Sequence, residues 1–192
     1  MTRILRTTSL ILGPLSLAAS TFFWEDGRYG VTGGVLVALA STAWIYGLLG
    51  VWEHLRDRSP LLSAVGIVLT VVGTFGGIAF GTQGFFEGIF DVSGAESLDA
   101  AARYPVASWF VLWLPGPLFP ISLMLLGAML LRLRVTPVPV AVALMLGGLA
   151  FPASRVSRVD LIAHGADVVL LAASAALALL VARGLLDRPL KH

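Results

Sequence analysis

Cysteine is absent from the 192 residues, and lysine occurs once, as Lys191. The first absence excludes disulfides, thiolate metal sites and cysteine nucleophiles. The second leaves no apolar segment able to carry a Schiff-base lysine, and no phosphate-binding loop ending in Gly-Lys. Charge is scarce altogether, at 12% of residues against about 25% in ordinary soluble domains. Apolar residues make up 57% of the chain, and mean hydropathy is +0.91. That combination describes a polytopic membrane protein without a sizeable soluble domain.

Six apolar stretches stand between charged or proline-rich connections: residues 4–24, 30–52, 61–81, 106–131, 138–152 and 161–181. At about 20 residues per crossing they read as six spans, so residues 1–192 form a single all-α membrane domain, a six-transmembrane-helix bundle. The first is read as an uncleaved span behind Arg3 and Arg6 rather than as a signal peptide. Pro60 opens the third, in which Gly73, Gly77 and Gly81 repeat a small-xxx-small spacing that lets another helix come close. The aromatic segment Gly84–Asp91 either prolongs this helix or lies in the interface. Ser93-Gly-Ala-Glu96 fits a capping box, which predicts a short extracytoplasmic helix ending before Tyr104-Pro105. The fourth span begins with Trp109 and Trp113, and Pro115-Gly-Pro117 and Pro120 interrupt it. The carbonyls those prolines free need cover from protein or water, so a broken helix is expected there.

Orientation follows from the basic residues in the connections. Arg3, Arg6, Arg56, Arg58, Arg132, Arg134, Arg183, Arg188 and Lys191 fall on one side; Arg28, Arg103, Arg155 and Arg158 fall on the other. The richer side is cytoplasmic, which places both termini there and the chain in the cytoplasmic membrane as a multi-pass protein. The net charge of +2 reflects this anchoring rather than a nucleic-acid surface.

The strongest lead to function opens the sixth span. Asp160, His164 and Asp167 sit at i, i+4 and i+7, one face of a helix. Asp167 falls roughly 9 Å below Leu161, at about 1.5 Å per residue. An ionised group at that depth is costly against lipid, so it should face protein or a water-filled cavity. Arg155 and Arg158 precede the stripe, Glu87 and Asp91 approach from the third span, and Trp113 from the fourth. The functional reading is one outward-opening cavity for a small molecule, a lipid headgroup or an ion. Asp160, His164 and Asp167 would hold its protons, and the two arginines would attract an anionic group. The competing reading is structural: Arg155 or Arg158 pairs with Asp160 or Asp167, and His164 bonds a freed carbonyl of the fourth span.

Other chemistries are weaker. One histidine without thiolates is a poor basis for a metal site. His54 and His164 lie at opposite sides of a core about 30 Å thick, too far apart for bis-histidine haem. A His164 pair with Met124 or Met145 stays geometrically open, and the cofactor is left unknown.

Pro115-Gly-Pro-Leu-Phe-Pro-Ile-Ser-Leu-Met-Leu-Leu-Gly127, then Arg-x-Arg, then Leu146-Gly-Gly-Leu-Ala-Phe-Pro-Ala-Ser-Arg155, covers roughly the second half of the chain. It resembles uncharacterised six-span bacterial integral membrane proteins. The resemblance implies a helical bundle in the cytoplasmic membrane and carries no activity or catalytic residues.

The expectation is a non-enzymatic binding or transport protein. The alternatives are an accessory or scaffold subunit of a membrane complex, and an intramembrane enzyme or electron carrier. Its partners are the lipid bilayer, a small-molecule or lipid ligand, and a second copy or another membrane subunit.

Overall fold

The computed structural model describes residues 2–24, 28–157 and 159–187. Among these residues eight α-helices follow one another: α1 (Thr2–Ser20), α2 (Gly30–Leu55), α3 (Pro60–Phe90), α4 (Gly94–Ala102), α5 (Pro105–Ser108), α6 (Pro115–Arg132), α7 (Val138–Ser157) and α8 (Asp160–Ala182). Among the described residues five segments are long and apolar enough to cross a bilayer: α2, α3, Pro105–Arg132, α7 and α8. Two arginines, three threonines and three serines dilute the 19 residues of α1, which is not among the five.

The long helices form a closed ring. Each packs chiefly on its neighbours in sequence, in the order α1, α2, α3, α6, α7, α8, and α8 returns to α1. Side chains fill the middle. Trp44 of α2 meets Phe119 of α6 at 5.3 Å between ring centroids, and Phe119 meets Phe151 of α7 at 5.9 Å. Leu10, Leu123, Leu144, Leu170 and Leu177 complete this core. The outward faces carry exposed apolar residues such as Leu39, Val68, Ile121, Leu146 and Val168. In lipid, exclusion of water does not press helices together, so close packing at small residues has to do it.

The glycines of α3 supply that packing on two sides. A Cβ at Gly73 would collide with the backbone of Phe119 in α6. One at Gly81 would stand 2.6 Å from the Ala38 nitrogen and 2.7 Å from the Gly34 carbonyl oxygen of α2. Gly77 faces the Ser41 side chain of α2. A few polar bonds add direction, among them Trp52 Nε1 donating to Thr70 Oγ1 at 2.9 Å.

Several helices outrun the hydropathy of the sequence. α3 continues through the aromatic segment to Phe90 and stops where Asp91 turns left-handed at φ 52°. Its 31 residues measure about 46 Å, more than the roughly 30 Å thickness of a bilayer core. The connection to the next span is therefore shorter than residues 84–105. It consists of Asp91–Ser93, α4 and the two residues before Pro105. The capping box on α4 is formed in both directions between Ser93 and Glu96. α7 runs past Pro152 to Ser157, so Arg155 stands on its last turn rather than in a loop. In the proline-rich fourth span the helix does not part. It widens into a π-turn over Trp109–Trp113, with the Leu114 N–H bonded to the Trp109 carbonyl at 2.8 Å. Pro115 and Pro117 have no N–H to give to the turn before them, and the wider turn makes room for their rings.

Candidate functional site

α1, α3, α7 and α8 bring their polar groups to one end of the ring, called here the Arg155 end. Asp167 is the deepest, with 1% of its surface exposed. Arg155 reaches it from the last turn of α7: Nη2 donates to Oδ1 at 2.7 Å and to Oδ2 at 3.0 Å. One nitrogen thus serves both oxygens, and the two-nitrogen fork of the strongest arginine–carboxylate pairs is not used. The guanidinium is enclosed by rings, its Cζ lying 4.9 Å from the Phe151 centroid, 5.3 Å from Trp24 and 5.9 Å from Tyr29. Such distances are those of cation–π contacts. Its Nε and Nη1 are buried with no hydrogen-bond partner, and so is Trp24 Nε1.

His164, one turn before Asp167, is half-buried and packs on Phe22 at 4.4 Å between ring centroids. Its Nδ1 lies 3.0 Å from Thr21 Oγ1. The Thr21 hydroxyl has one proton, and it goes to the Ala18 carbonyl at 2.8 Å. The Thr21–His164 contact ties α8 to the turn that follows α1. Asp160 is exposed in the first turn of α8, where a negative charge is favourable to the helix dipole. The stripe is thus graded along the helix: exposed at Asp160, half-buried at His164, buried at Asp167.

Glu87 and Asp91 are occupied elsewhere. Glu87 Oε1 accepts from Gln83 Nε2 at 2.9 Å and from the Ser97 hydroxyl, which fastens the end of α3 to α4. Asp91 is 96% exposed and lies 3.9 Å from Arg28, whose guanidinium also donates to the Val92 carbonyl. Trp113 is 46% exposed on the outer face of the π-turn. Arg158, Arg188 and Lys191 lie outside the described residues. Among the described residues no group of three or more His, Cys, Asp or Glu side chains gathers where a metal ion would fit.

The groups that hydropathy does not single out are Thr21, Trp24, Tyr29 and Phe151. Trp24 and Tyr29 carry a signal, as amphipathic rings flanking a polar turn, but it reads as interfacial anchoring. Thr21 carries none. At the opposite end of the ring an open depression of about 410 Å³ is lined by Arg6, Glu53, His54, Asp57 and Arg58. A second, of about 180 Å³, lies between the start of α1 and the ends of α2 and α8.

No protein-family model, curated protein or solved structure matches this chain.

Proposed function

We propose that this chain is a bacterial six-span protein of the cytoplasmic membrane, with both termini cytoplasmic. It binds a small molecule, a lipid headgroup or an ion at the Arg155 end, without catalysing a reaction. α1 counts as a span in this reading because it packs between α2 and α8 and turns Ile4, Leu5, Ile11, Leu12 and Leu15 outwards. The observation that carries the reading is the buried Arg155–Asp167 pair. A bundle that only needed to hold together would gain by replacing such a pair with packed apolar side chains, since desolvating two charges costs several kcal/mol per ion in order of magnitude. Ionisable groups within spans mark binding or conduction sites for that reason. The filled centre of the ring favours a site at its mouth over an open conduit.

The test is native mass spectrometry of the full chain from mild detergent or nanodiscs, with an absorption spectrum taken beside it. The expected result is a stoichiometric adduct that His164→Ala and Asp167→Asn weaken. Unchanged ligand retention and thermal stability in both variants would sink the reading. The second reading, an accessory subunit, is favoured by the Arg155–Asp167 and Thr21–His164 contacts, which join α7 and the end of α1 to α8 without any ligand. It predicts a bare polypeptide and stoichiometric cross-links to another membrane protein in native membranes.

A further inference from the structure

We infer that the ligand of the Arg155 end is an oxyanion, a carboxylate or a phosphate group, taken between the guanidinium of Arg155 and the indole of Trp24. The inference rests on the binding reading above and narrows it to one chemistry. Three atoms around Arg155 lack a partner: its own Nε and Nη1 and Trp24 Nε1. All three are N–H donors and none can accept. The group that suits them is therefore one rich in acceptor oxygens; a cation or a donor-only ligand would leave every one of them unmet. Buried donors without partners are costly, so a group that supplies acceptors to three of them gains on all three.

The rings decide the rest. Phe151, Trp24 and Tyr29 stand within 5.9 Å of the guanidinium carbon and shield it from solvent. In such surroundings a hydrogen bond to an ionised oxygen is shorter and stronger than one to a neutral acceptor. Asp167 occupies Nη2 alone, so Nη1 is left to present its two hydrogens to a second two-oxygen group. Trp24 sits at the end of the short helical turn after α1, outside the helix ladder, where its indole is positioned by the T-shaped contact with Tyr29 at 5.5 Å.

Two sources share this chemistry, a phosphate of a membrane lipid and a free carboxylate or phosphate from solution. The experiment separates them. The full chain, delipidated in mild detergent, is titrated with sodium acetate and with inorganic phosphate against sodium chloride of equal ionic strength, and the thermal midpoint is followed. In parallel, native mass spectrometry of the undelipidated protein identifies any retained phospholipid. Arg155→Lys keeps the charge that Asp167 needs and removes Nε–H and the Nη1 donors. Trp24→Phe keeps a ring beside the guanidinium and removes only the N–H.

The expected result is a rise in midpoint with acetate or phosphate, or a retained phospholipid. Both variants should weaken the effective one by about tenfold or more, the size of one lost hydrogen bond to a charged group. Empty Trp24→Phe should be at least as stable as the wild type, because the N–H it loses has no partner. A soluble-anion shift names the free oxyanion; a phospholipid adduct without that shift names the lipid. No shift and no phospholipid overturns the inference, as does an equal effect in wild type and both variants. A neutral sugar or an amine found as the adduct also overturns it, while leaving the binding reading standing.

Discussion

Arg155 and Asp167 are coupled so closely that neither tolerates loss of the other. Asp167→Ala leaves a guanidinium among three rings with no counter-charge, and removing one partner of a buried pair costs about 3–5 kcal/mol. Arg155→Met combined with Asp167→Leu removes both charges and should recover most of that loss. The check is unfolding of the single and double variants in a graded denaturing detergent. A double variant as unstable as Asp167→Ala would mean that the pair is not the source of the cost. Thr21 is a smaller case. Thr21→Val keeps the shape but removes the hydroxyl that meets His164 Nδ1 at 3.0 Å, for a loss of about 1 kcal/mol by the same measurement. It should also weaken adduct retention if His164 serves the bound state.

The elements carry different sensitivities, and glycines show where. Gly73→Ala drives a methyl into the backbone of Phe119, which cannot swing aside as a side chain can. A loss of about 1–3 kcal/mol is expected for forcing α3 and α6 apart. Gly165→Ala is the matching control, since a Cβ there meets nothing within 4 Å. It should be neutral or gain up to about 1 kcal/mol from helix propensity. Midpoints of both variants in one detergent decide this.

α4 has a pH dependence of its own. Hydrogen bonds from the Ser93 hydroxyl and the Ser93 backbone N–H to its carboxylate hold Glu96 below the ordinary carboxylate range. A lowered folded-state pKa means that the contribution of the box is complete above the ordinary value. It is lost as pH falls through the lowered one. Amide exchange at Ser93 should accelerate in that acid window, relative to neighbouring helices. In Glu96→Gln, which keeps an acceptor oxygen without a titrating proton, it should stay flat.

Hydropathy and punctuation carried much of this at the level of elements. The apolar runs marked where long helices lie, and Ser93-Gly-Ala-Glu96 marked the start of α4 through local bonds that need no tertiary partner. Helix ends were less legible. Phe90 and Ser157 end their helices beyond the apolar runs, because helix ends obey capping and packing rather than hydropathy. The prolines of the fourth span announced a disturbance but not its form, since a break and a π-turn both satisfy them. The periodic stripe on α8 was visible. Its chief partners Thr21 and Arg155 were not equally so: Arg155 precedes the stripe by a few residues, whereas Thr21 reaches it only through closure of the ring.

On the scale of the whole molecule, the ring puts the Arg6 depression and the Arg155 cage at opposite ends, and the six-span reading puts the membrane between them. The lack of cysteine makes this testable without background. Ser59→Cys stands in the connection between α2 and α3 near the Arg6 end, and Asp99→Cys on α4 near the other. In intact cells a membrane-impermeant maleimide should label Asp99→Cys and spare Ser59→Cys until the membrane is opened. The reverse pattern would invert the orientation, and equal labelling of both in intact cells would remove the span count.

Ring closure also sets an order in time. Contacts between consecutive helices can form as each hairpin leaves the ribosome, but α1 keeps one flank open until α8 arrives. Thr21 and His164 are 143 positions apart in the chain. At about 5–20 residues per second, that flank waits on the order of 10 seconds. If α1 is a span, as the six-span reading has it, that flank faces lipid or the insertion machinery until α8 docks. At the far end of α1 the hydroxyls bond to carbonyls one turn back, as Ser20 does to Leu17 and Thr21, just beyond α1, to Ala18. α1 is thus made well before the helix that seals its second flank, and the cage at Arg155 is complete only once α8 has docked.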